Sequence, residues 1–171
     1  MRIIKKLIVI LSISWLTGCG IAQSVSDTAT GLGQSVFNWS IKTLYLDIKA
    51  RSELNLDDEG RSSPVVLRVY QLTNAEKFNS ASYTELVDQD SDVLKDTLIE
   101  TKEIILRPDT SISIDAPLDK KATAVGVIGL FKEPNLKNGS WKITLARKDL
   151  NISKPREVVA SKYSLKMQDE K

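Results

Sequence analysis

The chain contains no histidine and a single cysteine, Cys19, among its 171 residues. The first absence removes the commonest general base and the commonest neutral metal ligand. The second excludes any internal disulfide and any thiolate zinc cluster. Aromatic residues are only 6% of the chain, and the 24 basic and 22 acidic side chains nearly cancel. No run of about 20 apolar residues is present, so no segment reads as a bilayer-spanning helix. The glycine-rich phosphate loop and the Ser-x-x-Lys nucleophile motif are missing too, and Gly31-x-Gly33 lacks the strand and third glycine of a dinucleotide site. The sequence therefore predicts a protein that is not an enzyme and holds no metal or cofactor. With 42% apolar and 27% charged residues it still has the composition of one globular domain.

What is present begins at the N-terminus. Arg2, Lys5 and Lys6 precede an apolar run from Leu7 to Leu16, the layout of a secretory leader. The run ends in Leu16-Thr17-Gly18-Cys19, which resembles a bacterial lipobox. That resemblance implies cleavage before Cys19, a lipid on its sulfur, and residues 1–18 as the discarded signal peptide. Gly20, rather than an aspartate, follows the cysteine, which by resemblance to enterobacterial sorting points to the outer membrane. Three of the 24 basic residues and none of the 22 acidic ones leave with the leader, so the net charge falls from +2 to −1. No basic, aromatic-interleaved patch remains, and nucleic acid is not an expected partner.

Residues 19–39 read as a lipidated tether or, equally well, a short amphipathic helix, since Ile21, Val25, Leu32, Val36 and Trp39 are helically spaced around two glycines. The rest, 40–171, is expected to be one domain. Period-two alternation marks strands at Leu44 to Ala50 and Val65 to Tyr70. Thr97 to Leu106 and Thr110 to Ala116 flank Arg107-Pro108-Asp109 and read as a hairpin. Thr123 to Phe131 is almost wholly apolar, as a central strand buried on both sides would be. Asn138-Gly139 turns the chain into a strand through Trp141, Ile143 and Leu145, and Val159 to Met167 reads as a seventh strand. Seven strands at these intervals predict a mainly β, two-sheet sandwich. Between 73 and 96 the spacing becomes helical. Thr73-x-x-Glu76 and Ser82-x-x-Glu85 both match the capping box, so a small helical insertion is expected there. Asp88-Gln89-Asp90-Ser91-Asp92 opens like a calcium loop, but Val93 and Ile99 stand where glycine and glutamate are needed, so it reads as a helix-linking turn.

One further stretch carries a resemblance. Leu54-Asn55-Leu56-Asp57-Asp58-Glu59-Gly60-Arg61-Ser62-Ser63-Pro64-Val65-Val66-Leu67-Arg68-Val69-Tyr70-Gln71-Leu72 is an acid-rich loop entering a strong strand. It is similar to the signature of the TssJ (SciN) family, the outer-membrane lipoproteins of type VI secretion. Leu106-Arg107-Pro108, Val125-Gly126-Val127 through Phe131-Lys132, and Trp141 resemble later family motifs in the same order. Leu56 and Ser62 depart from the family by replacing prolines, and Asp109 by replacing a turn glycine.

The resemblance implies a transthyretin-like β-sandwich. It also implies a partner, the periplasmic domain of the inner-membrane protein TssM, bound by the loop between the first two strands. Here that loop is expected over Arg51 to Ser63, with Leu54, Asn55, Leu56, Asp57, Asp58, Glu59, Gly60 and Arg61 at its centre. Leu54 and Leu56 would be its apolar anchors and the charges would set register. A lipid-anchored binding or chaperone module is the alternative reading, with no small-molecule substrate expected on the first. Replacing Cys19 by serine is expected to abolish radiolabelled palmitate incorporation and to move the protein from the membrane fraction to the soluble periplasm. Continued sedimentation with outer membranes would remove the anchor from the argument.

Overall fold

The computed structural model describes residues 41–168. The leader over 1–18, Cys19 and the tether over 19–39 lie outside the described residues. Among the described residues eight strands form two four-stranded sheets. In sequence order they are β1 (Thr43–Leu54), β2 (Val65–Leu72), β3 (Leu98–Leu106), β4 (Ser111–Pro117), β5 (Ala124–Gly129), β6 (Lys142–Ala146), β7 (Arg156–Lys162) and β8 (Ser164–Met167). Sheet one has the order β4-β1-β7-β8 and sheet two the order β3-β2-β5-β6. β1 pairs antiparallel with β4 and parallel with β7, so the longest strand lies inside its sheet. The fold is thus the two-layer sandwich that the alternation predicts.

The alternation also decides what the layers bury. Leu44, Leu46 and Ile48 of β1 are essentially inaccessible, as are Leu67 and Val69 of β2 and Val158 and Ala160 of β7. Residues two apart share a face, so these side chains meet between the sheets. All six residues of β5 are buried, because its second face is also covered. Three short helices lie between β2 and β3: α1 (Glu76–Ser80), α2 (Tyr83–Asp88) and α3 (Asp90–Leu94). Phe78 of α1 packs over Gly126 of β5, where a Cβ would stand 2.7 Å from the Phe78 ring. Glycine is needed here for close approach, not for its backbone freedom. Lys142 fastens α1 further, donating to the carbonyls of Phe78, Asn79 and Ala81 at 2.7–2.8 Å.

The structure corrects four expectations. Arg107-Pro108-Asp109 does turn the chain, with Asp109 at φ +62°, but β3 pairs with β2 and β4 with β1. The turn is therefore an arch between sheets rather than a hairpin within one. Val159 to Met167 is not one strand: Lys162 takes φ +50°, and β7 folds back on β8 with Ser161 opposite Ser164. β1 continues four residues past Ala50, so 51–54 are strand and not loop. Of the two capping boxes, Ser82 with Glu85 forms in full. Thr73 instead bonds Thr97 across the strand ends, and Asn74 accepts from the Glu76 N–H at 2.6 Å.

Gly126→Ala is expected to destabilise the domain by about 1–3 kcal/mol through overpacking against Phe78. A fall in the urea midpoint with an unchanged slope would show it; an unaltered midpoint would mean that the ring moves aside freely.

Candidate functional site

β1 ends at Leu54 and β2 begins at Val65, in different sheets. The loop between them shares one end of the sandwich with the β3–β4 arch, the β5–β6 connection and the β7–β8 turn. Its geometry starts from Asn55. This residue takes φ +46°, a left-handed conformation that asparagine tolerates better than most residues, and only 3% of it is exposed. Its side chain donates to the Pro64 carbonyl at 2.8 Å and accepts from the Lys132 N–H at 2.9 Å. Its backbone N–H donates to the Lys162 carbonyl at 2.7 Å. The Ser63 hydroxyl donates to the Asn55 carbonyl at 2.5 Å. One buried amide thus joins both ends of the loop to the β5–β6 connection and the β7–β8 turn.

The tip is braced by Asp57. One of its carboxylate oxygens accepts from the N–H groups of Glu59 (3.1 Å) and Arg61 (2.8 Å), and the other from Arg61 Nε at 2.8 Å. The Asp57 N–H donates to the Arg61 carbonyl at 2.9 Å and the Gly60 N–H to the Asp57 carbonyl at 2.8 Å. Gly60, at φ +76°, supplies the turn. The Arg61 backbone N–H, first among these, holds the Asp57 carboxyl below its ordinary value. That contribution is complete above about pH 3.8 and is lost as pH falls through the lower folded value. Arg61 also reaches Glu59 at 2.9 Å. Outside the tip, the Tyr163 hydroxyl donates to the Leu56 carbonyl at 3.2 Å and the Ser62 hydroxyl to the Ser52 carbonyl at 2.6 Å.

The expected site residues therefore divide into two groups. Asp58, Glu59, Gly60 and Arg61 are exposed, and Leu56 and Asp57 half-buried. Leu54 is fully buried in the core and Asn55 nearly so. Leu54 is thus not an apolar anchor on the surface, and Asn55 acts from beneath the loop. The phase of β1 carries the signal for this: Leu54 is in step with Leu44, Leu46 and Ile48. The sequence did not single out Ser63, Lys132 and Tyr163 as braces, since their contacts come from three separate connections.

Elsewhere, Asp90 at the start of α3 accepts from the Tyr70 hydroxyl at 2.9 Å and lies 3.4 Å from Arg68. Burial, and then this bond, push the Tyr70 hydroxyl well above its usual range. Asp90 is thereby committed to holding the helices on β2. Among the described residues no group of acidic side chains converges as a metal site.

The fold and loop define a class: a β-sandwich presenting one braced, acid-tipped loop at the end of its central strand. The chain belongs to the T6SS-SciN family, described as type VI secretion lipoprotein, VasD, EvfM, TssJ, whose model matches residues 42–169. Among solved structures, a chain of a type VI membrane complex is 37% identical with a TM-score of 0.73, covering 75% of this chain and 99% of that one. A chain from a structure of the T6SS protein TssM C-terminal domain from EAEC is 35% identical with a TM-score of 0.70, covering 76% and 100%. The T6SS lipoprotein TssJ1 from Pseudomonas aeruginosa shares the fold at 22% identity, with a TM-score of 0.65 over 75% of this chain and 95% of that one. A comparison with curated protein sequences finds no match.

Asn55→Gly keeps the backbone conformation but removes both side-chain bonds. It is expected to cost about 1–3 kcal/mol, because the Lys132 N–H and Pro64 carbonyl lose a partner. Faster amide exchange at Lys132 than at core strands would locate the loss; uniform protection would show that Asn55 is not the brace.

Proposed function

We propose that this chain is a non-catalytic, lipid-anchored subunit of a type VI secretion membrane complex. It ties the periplasmic domain of a TssM-like inner-membrane protein to the outer membrane. On this reading residues 1–18 are the signal peptide, Cys19 carries the lipid, 19–39 form the tether, and 40–171 form the domain. Several acyl chains together give stable membrane attachment where one alone binds marginally. No bound small molecule or nucleic acid has a part.

The observation that carries the proposal is the braced loop. A contact loop held in one conformation loses little entropy on association, and the Asn55 and Asp57 bonds hold this one from both its base and its tip. The family supports the secretion context. The likeness to chains in structures of a type VI membrane complex and of a TssM C-terminal domain supports the partner. Asp58 and Glu59 are the exposed acids of the tip and suit a basic counterpart, steering encounter and fixing register.

Reversing both charges, Asp58→Lys with Glu59→Lys, is expected to weaken binding to the partner's periplasmic domain by about tenfold or more at low salt. The deficit should shrink at high salt, because exposed charges are screened. Calorimetry with an unchanged melting temperature tests this, and an affinity indifferent to the reversal would dismiss the loop as the contact.

A further inference from the structure

We propose that Val66 and Ile105, side by side on the outer face of sheet two, form the dry half of the same partner-binding surface. They would receive an apolar side chain of the TssM-like periplasmic domain whose basic residues meet the loop. This rests on the reading of the loop given above and adds to it the missing apolar contact.

That contact is missing because Leu54 is buried. The loop by itself then offers charges and a half-buried Leu56. Charges set association rate and specificity more than affinity, whereas the centre of a stable interface is apolar and excludes water. β2 supplies a candidate by its alternation. Val65, Leu67 and Val69 face the core, so Val66, Arg68 and Tyr70 face outward. Helices cover the last two: Arg68 Nη1 donates to the carbonyls of Leu86 (3.1 Å) and Val87 (2.9 Å), and Tyr70 bonds Asp90. The bonds to the helices stop at Arg68. Val66, one step nearer the loop, is partly exposed, and Ile105 stands directly opposite it in β3.

Ile105 is 57% exposed, one of three large apolar side chains so displayed among the described residues. A solitary exposed isoleucine means nothing. This one is paired across the ladder with a second apolar residue, on an edge strand that a partner can reach. The pair is also continuous with the loop: Val66 lies two residues after Pro64, whose carbonyl Asn55 holds. On its other flank the Leu130 N–H donates to the Val66 carbonyl at 2.9 Å, and Asn55 grips the chain again at Lys132. One side chain, Asn55, thus holds both segments that flank Val66 at the base of the acidic loop.

The test compares Ile105→Ser, Val66→Thr and the loop charge reversal in the full chain, titrated with the TssM-like periplasmic domain. Melting curves confirm that the two surface variants fold. Ile105→Ser is expected to weaken binding by about tenfold, and Val66→Thr in the same direction. Both losses should be equal at low and high salt, unlike that of the loop variant. If the loop reversal weakens binding but Ile105→Ser leaves it within about twofold, the apolar pair is excluded while the loop stands. If neither matters, both readings fall. If Ile105→Ser dissolves a self-associated form in ultracentrifugation and spares partner affinity, the pair belongs to a second copy and this assignment is wrong.

Discussion

The carboxamide of Asn55 is the constraint on which the functional end of this molecule depends. A loop joining two sheets has no ladder of its own, and its backbone groups must find partners elsewhere. Asn55 meets that need with three kinds of bond at once: a side-chain donor to Pro64, a side-chain acceptor for Lys132, and a backbone donor to Lys162. Each connects a different segment. Because the amide is buried, these bonds compete little with water, and losing any one strands a polar group in the interior. Asp57 repeats the device in solvent, where it is weaker, and Arg61 neutralises it. The exposed acid Asp58 is therefore displayed by a frame that does not use its side chain, and Glu59 by one it joins only through Arg61.

Much of this was legible in the sequence, for reasons that can be named. Strands with one wet face announce themselves by alternation, as β1 and β2 do, and a strand covered on both faces by an unbroken apolar run, as β5 does. What alternation does not carry is the partner of each strand. Pro108-Asp109 turns the chain equally well within a sheet or between sheets, so the arch looked like a hairpin. The reversal at Lys162 has no glycine, asparagine or proline to mark it, and two strands looked like one. At the site, the order of residues in the loop was visible but its depth was not. Arg51, Ser52 and Glu53 looked like the start of a wet connection, which hid the continuation of β1 and placed Leu54 on the surface. Thr73 failed as a cap because its backbone was already taken by the strand end, a tertiary bond that no local motif reveals.

The opposite end of β1 shows the same economy of means. Arg147, buried to 7% exposure, donates to the carbonyls of Asp119 at 2.6 Å and Ala122 at 2.7 Å, and also to that of Ile41, where the described chain begins. Gln71 closes the neighbouring connection through Glu100, Pro117 and Asp119. The three polar residues buried among the described ones, Asn55, Gln71 and Arg147, thus all lie at the ends of the sandwich, and none interrupts the apolar middle.

This distribution bears on the proposed role. A tie between a membrane and a partner carries load, and β1 is the element that would carry it. Its 12 residues span about 36 Å at the usual strand rise, with the anchor side at Ile41 and the braced loop at Leu54. It is bonded on one edge to β4 from Thr43 to Lys49 and on the other to β7 from Leu46 to Ala50 and again at Leu54. Tension applied at its two ends would run along the covalent backbone of β1 itself, which is already extended, while the ladders on either side keep the strand in place. Arg147 and Asn55 hold the places where the force would enter and leave. A hairpin at the edge of a sheet, gripped at one end, would instead peel one bond at a time. Placing the longest strand inside the sheet, with a buried polar clasp at each end, keeps such a load on one extended backbone and needs no covalent cross-link among the described residues.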